Sequence, residues 1–109
     1  MKKFEAVLLF SPDLSVTGVK ELDSIFTKNI ENSEGKIISQ EDWGLKDLSF
    51  NINNFKKAFY KFYQIEINGI KLTDIKKILT QNEKILRHLF VKVNNHQQLP
   101  TKMINNEEK

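Results

Sequence analysis

Apolar residues run from Phe4 to Phe10 and stop at Ser11-Pro12-Asp13, which reads as a first strand closed by a turn. Val16, Val19, Leu22, Phe26 and Ile30 then recur at spacings of three and four. Lys20, Glu21, Asp23, Lys28 and Glu31 mostly fall between them, so the segment predicts an amphipathic helix. Ser15 or Thr17 is placed to cap its start, and Gly35 to supply the left-handed residue at its end. From Lys36 to Ile52 the pattern is a long strand with a change of phase. Ile37, Trp43 and Leu45 fall on odd positions, whereas Leu48, Phe50 and Ile52 fall on even ones. Strand side chains alternate, so the change requires an extra residue, and a β-bulge is predicted close to Gly44.

Asn53-Asn54 follows as a turn, because asparagine tolerates positive φ. Lys57 to Ile67 is the next strand, and the short connection makes the pair an antiparallel hairpin. Asn68-Gly69 interrupts the chain again. Leu72, Ile75, Ile78 and Leu79 mark a short second helix, and Ile85 to Val93 a last strand. The predicted organisation is one domain over residues 1–93, then a flexible polar tail over 94–109. The order β-α-β-β-α-β predicts an α+β fold, with two helices on one face of a four-stranded antiparallel sheet. The other face is left open. Alternation in the third strand puts Tyr60, Phe62, Gln64 and Glu66 on that open face, and Ile65 and Ile67 in the core.

Composition narrows the chemistry. The 109 residues suit a single domain, and the absence of cysteine removes disulfides, thiolate metal sites and cysteine-held clusters. No apolar run approaches the roughly 20 residues of a membrane span. Met1-Lys2-Lys3 before an apolar stretch has the outline of a leader peptide, but Glu5 interrupts the stretch and Ser11-Pro12-Asp13 is a poor cleavage context. Lysine and arginine number 17 against 14 acids, a net charge of +3. Arg87 is the only arginine, so the positive charge suits phosphate contacts better than bidentate base reading. Glu41 and Asp42 are neighbours in a strand and point to opposite faces, so they form no acid–base pair. No metal-ligand spacing, phosphate-binding glycine loop or nucleophile–histidine arrangement is present, and no cofactor or small-molecule substrate is expected.

The stretch Glu34-Gly35-Lys36-Ile37-Ile38-Ser39-Gln40-Glu41-Asp42-Trp43-Gly44-Leu45-Lys46-Asp47-Leu48 resembles the central signature of the bacterial ribosomal protein S-six family. That pattern runs Gly-Lys-hydrophobic, then Glu-Asp-Trp-Gly, then a leucine three to five residues on, and continues with an aromatic and an isoleucine, matched by Phe50 and Ile52. Lys57-Ala58-Phe59-Tyr60, Phe4-Glu5, Pro12-Asp13 and Arg87-His88 with Leu89-Phe90-Val91-Lys92 also fit, so the likeness extends from about Lys3 to Lys92. The chain departs from it at Phe50-Asn51, where the family has Tyr-Pro, and at Asp47. The resemblance implies a ferredoxin-like fold without catalytic activity. It also implies a cytoplasmic, ribosome-bound protein that contacts the central domain of small-subunit ribosomal RNA and pairs with ribosomal protein S-eighteen.

Lys2, Lys3, Lys56, Lys57, Arg87 and Lys92 are the expected RNA-facing cations, forming a rim around one region of the sheet. Tyr60 and Phe62 are the expected partner contacts, while Trp43 and Gly44 are expected to be structural. Two other functions share this fold order. An RNA-recognition-motif-type domain stacks bases on aromatics of strands one and three. Here strand one supplies only Phe4 before its last residue, and Lys61 is poorly suited to that surface. An acylphosphatase-like enzyme needs an arginine in the loop after strand one, which here is Ser11-Pro12-Asp13.

Overall fold

Six elements form in the computed structural model, which describes residues 1–99: β1 (Lys2–Phe10), α1 (Val16–Asn32), β2 (Lys36–Ile52), β3 (Phe55–Ile67), α2 (Gly69–Gln81) and β4 (Ile85–Val93). The strands form one antiparallel sheet in the order β2-β3-β1-β4. This is the ferredoxin-like arrangement that the element order predicts. Residues 100–109 of the predicted tail lie outside the described residues.

Alternation sorts the two sheet faces. Ala6, Leu8 and Phe10 of β1, and Tyr63, Ile65 and Ile67 of β3, pack against the helices. Val19, Phe26 and Ile30 of α1, and Leu72, Ile75 and Leu79 of α2, close that core. Each helix presents apolar residues at spacings of three and four to the sheet, so burying that stripe is what fixes it in place. Tyr63 adds a directional tie. Its ring packs on Phe26 with centroids 4.7 Å apart, and its hydroxyl donates to Asp23 at 2.5 Å. Burial first, then the hydrogen bond and charge of Asp23, raise the phenol pKa far above its ordinary value.

The cap at the start of α1 follows the sequence, and the one at its end departs from it. Ser15 caps α1 by accepting from the Gly18 N–H, and Asn68 caps α2 by accepting from the Ile70 N–H. At the end of α1 the left-handed residue is Glu34 (φ 66°) rather than Gly35. The Gly35 N–H bonds the Ile30 carbonyl and the Glu34 N–H bonds the Glu31 carbonyl, closing the helix in a Schellman turn. Gly35 is required for space instead. A Cβ there would meet the Glu66 carbonyl oxygen at 2.9 Å, with Ile30 and Ile67 at 3.0 Å. Asn53 and Asn54 both take positive φ, 51° and 70°, as the tight β2–β3 turn demands.

Candidate functional site

The face of the sheet away from the helices carries Lys3, Glu5, Val7 and Leu9 from β1. Register then adds Tyr60, Phe62, Gln64 and Glu66 from β3, and Arg87, Leu89, Val91 and Val93 from β4. No helix covers this face among the described residues. Leu89 is 58% exposed, and Val91 and, out on the β2–β3 hairpin, Phe50 are exposed as well.

The predicted bulge forms where β2 meets the middle of β3. Asp42 pairs with Lys61 and Gly44 with Tyr60, so Trp43 is the extra residue. Gly44 takes φ +79°, and its N–H is held by the Asp42 carboxylate at 2.8 Å. The bulge re-aims Trp43 over the open face. Its indole lies flat against Phe62 at 5.2 Å between centroids and 11° between planes, and more distantly against Tyr60 at 6.5 Å. The indole N–H donates to Glu41 at 2.8 Å. Trp43 and Gly44 thus sit in one built feature. The same feature alters the place of Phe62. It lies on the open face, but it is only 3% exposed because the indole covers it, whereas Tyr60 stays partly exposed. A second irregularity at Ile38, and a third between Asp47 and Ile52, were not foreseen. Beyond the last of these the hairpin outruns the core, and Phe50 is carried into solvent at 75% exposure.

The six expected cations do not form one rim. Lys3 pairs with Glu66, and Lys57 lies nine residues from Glu66 along β3, a separation of roughly 30 Å at about 3.4 Å per residue. Lys2, Lys3 and Lys92 occupy one end of the sheet, and Lys56, Lys57 and Arg87 lie toward the other. Alternation divides them further. Lys3 and Arg87 are on the open face, while Lys2 and Lys92 fall on the helix side. There they line a hollow with Asn68 and Ile70 at the start of α2, the positive end of that helix. Lys57 has an acidic neighbour, Asp47, at 3.7 Å. His88 also falls on the helix side, near Phe90 and 3.3 Å from the Thr80 hydroxyl. Burial first, then the charge of Lys76, lowers its pKa.

Between the lysine end and the aromatic end lies a polar knot. The Glu5 carboxylate accepts from the Gln97 backbone N–H at 2.9 Å, the Gln97 side chain at 2.9 Å and the Gln64 side chain at 3.0 Å, with His96 Nδ1 at 3.4 Å. Gln64 also donates to the Gln97 carbonyl at 2.8 Å. Burial acts to raise the Glu5 pKa, but these donors together outweigh it and hold the carboxyl below its usual range. The sequence pattern puts residues 94–97 at the start of a flexible tail. Hydrogen bonds to β1 and β3 tie His96 and Gln97 to the sheet, a connection that no local pattern signals.

Among the described residues no group of His, Cys, Asp and Glu could hold a metal ion, and no helix is long and apolar enough to cross a membrane. The face offers stacking, apolar contact and a few cations.

Comparison with known proteins agrees with this architecture. The family model described as Ribosomal protein S6 matches residues 3–92. The small ribosomal subunit protein bS6 of Orientia tsutsugamushi (strain Ikeda) is 33% identical over 107 residues, covering 98% of this chain and 91% of that protein. The bS6 protein of Zymomonas mobilis is 32% identical over 104 residues, covering 95% of this chain and 84% of that one. The crystal structure of 30S ribosomal protein S6 from Thermotoga maritima superposes with a TM-score of 0.80, covering 84% of this chain and 87% of that one. Its sequence identity is 19%, so it speaks to the fold alone. The matched relatives are ribosomal proteins rather than enzymes. With the signature around Trp43 built as a bulge on the open face, and the family model spanning the whole sheet-and-helix domain, the chain belongs to the ribosomal protein S6 family of the small ribosomal subunit.

Proposed function

We propose that this chain is a structural constituent of the small ribosomal subunit, working in the cytoplasm, where it binds the central domain of the ribosomal RNA together with ribosomal protein S-eighteen. The observation that carries the reading is the sheet face without helical cover, in a chain of this family. Apolar side chains left at half exposure or more cost free energy unless a partner covers them. Two kinds of partner suit two regions. Phe50 and Leu89, with the partly exposed Tyr60, suit a protein surface. Lys2 and Lys92, around the positive end of α2, suit phosphates. Arg87, Lys56 and Lys57 form a second, separate cationic region. Two patches on different sides fit a protein wedged between RNA segments better than one that grips a single strand.

The RNA-recognition-motif reading meets a physical obstacle. The open face of β1 carries Lys3, Glu5, Val7 and Leu9, while Phe4 packs on the helix side. Phe62 of β3 is already stacked under Trp43. A base has Tyr60 but no aromatic opposite it on β1.

Cross-linking in purified small subunits tests the assignment. Photo-reactive groups at positions 2 and 92 are expected to capture ribosomal RNA, and groups at 60 and 89 a protein. A tagged chain that fails to co-sediment with the small subunit would overturn the proposal.

A further inference from the structure

The knot around Glu5 has more in it than a tail contact. Glu5 is in a central strand, in the middle of the face a partner would cover, and its side chain is only 11% exposed. A carboxylate on an uncovered sheet face would ordinarily be solvated. Here a segment 91 and 92 residues further along the chain supplies three of its donors. Gln64, beside it on β3, is 3% exposed and bonds both the carboxylate and the Gln97 carbonyl. The contact is therefore two-sided: Gln97 gives its N–H to β1 and takes a hydrogen from β3. His96 Nε2 is buried without a hydrogen-bond partner among the described residues, so the imidazole is held by its Nδ1 side alone.

We propose that residues 94–97 are a latch, closed on the Glu5 carboxylate across the polar end of the open sheet face, which opens when that carboxylate is neutralised. Closed, the latch shields Glu5 and Gln64, and the exposed apolar side chains left on the face are Leu89 and Val91 of β4, with Tyr60 partly exposed. Open, it bares an acid and an amide in the middle of an otherwise apolar surface. The charged and titratable groups around Glu5 are few, and His96 of the strap itself, 3.4 Å from the carboxylate, is the nearest. Lys3 of β1 and Glu66 of β3 lie beyond it on the same face, and Glu41 of β2 lies toward Trp43. Beside it, β4 contributes only Val91 and Val93. Glu5 is the acid that bonds the strap, so its charge state governs closure. The inference stands on this geometry and is independent of the ribosomal reading.

Amide hydrogen exchange of the full chain, read residue by residue by NMR, tests it. With the latch closed at pH 7, the Gln97 amide exchanges at least about tenfold more slowly than in a free peptide, as one charged hydrogen bond warrants. Glu5→Gln removes most of that protection, while Glu34→Gln, at the end of α1, leaves it intact. In the unaltered chain the protection fades as pH falls through the Glu5 titration, while the amides of Tyr63 and Ile65 stay protected. Three results overturn the proposal: a free-peptide rate for Gln97 at pH 7, unchanged protection in folded Glu5→Gln, or loss of Gln97 and core protection at the same pH. If Glu5→Gln does not fold, the pH series in the unaltered chain decides. Failure here leaves co-sedimentation with the small subunit untouched.

Discussion

At the scale of single residues, three positions carry more than their size suggests. Gly44 meets nothing within 4 Å where a Cβ would project, yet its φ of +79° is one that L side chains avoid. Gly44→Ala is therefore expected to cost about 1–2 kcal/mol through backbone strain alone, readable in urea denaturation. Gly35→Ala acts by the opposite mechanism. Its φ is ordinary, but a methyl group there collides with the Glu66 carbonyl at 2.9 Å, and a loss of about 1–3 kcal/mol is expected. If both variants match the parent in denaturant, the turn and the close approach are wrongly drawn. Trp43 is the third. Its face-to-face contact with Phe62 gives the open side a small apolar core of its own. Trp43→Ala is expected to lower stability by at least about 1 kcal/mol and to expose Phe62. Increased binding of a hydrophobic dye would register that exposure.

At the scale of elements, hydrophobic period decided what was legible. Two helices, four strands and their order follow from spacings of two and of three to four. The bulge at Trp43-Gly44 follows as well, because a phase change in a strand has only one geometric remedy. What stayed hidden depends on distance. Alternation puts Phe62 on the open face, yet its burial under Trp43 comes from a neighbouring strand whose bulge aims the indole. Gly35 looked like a helix terminator, but Glu34 takes that role and Gly35 makes room for β3. Lys57, Arg87 and Lys92 fall on the strands that the pattern predicts, and Lys2, Lys3 and Lys56 directly before them, but only the register shows that the six divide between the two ends of the sheet. The strap on Glu5 joins residues 92 apart and has no local signature. Its energetics follow from linkage. Donors hold the Glu5 carboxyl below its ordinary pKa in the folded chain, so its contribution is present above the unfolded value and is lost as pH falls through the folded one. Stability measured from neutral to acid pH should therefore drop less steeply in Glu5→Gln than in the parent. Parallel curves would remove Glu5 from the account.

At the scale of the whole molecule, the fold is finished on one side and unfinished on the other. The helices complete the core around Ala6, Leu8, Tyr63 and Ile65, while the opposite face leaves Leu89 and Phe50 in solvent. With a net charge of only +3, the chain alone has little general attraction for RNA. Under the proposed function, its affinity comes from a few lysine–phosphate contacts and from a partner that enlarges the joint surface. Replacing Lys2 and Lys92 by alanine should lessen the salt dependence of RNA binding by about one unit of log–log slope for each lysine that meets a phosphate, with little change in thermal stability. A large loss of stability instead would assign these lysines to the fold.

The most direct measurement is the affinity for a central-domain ribosomal RNA fragment, titrated with salt in the presence and absence of ribosomal protein S-eighteen. The proposed pairing leads to weak, steeply salt-dependent binding by this chain alone and at least about tenfold tighter binding by the pair, equivalent to about 1.4 kcal/mol of coupling. Equal affinity with and without the second protein would contradict it.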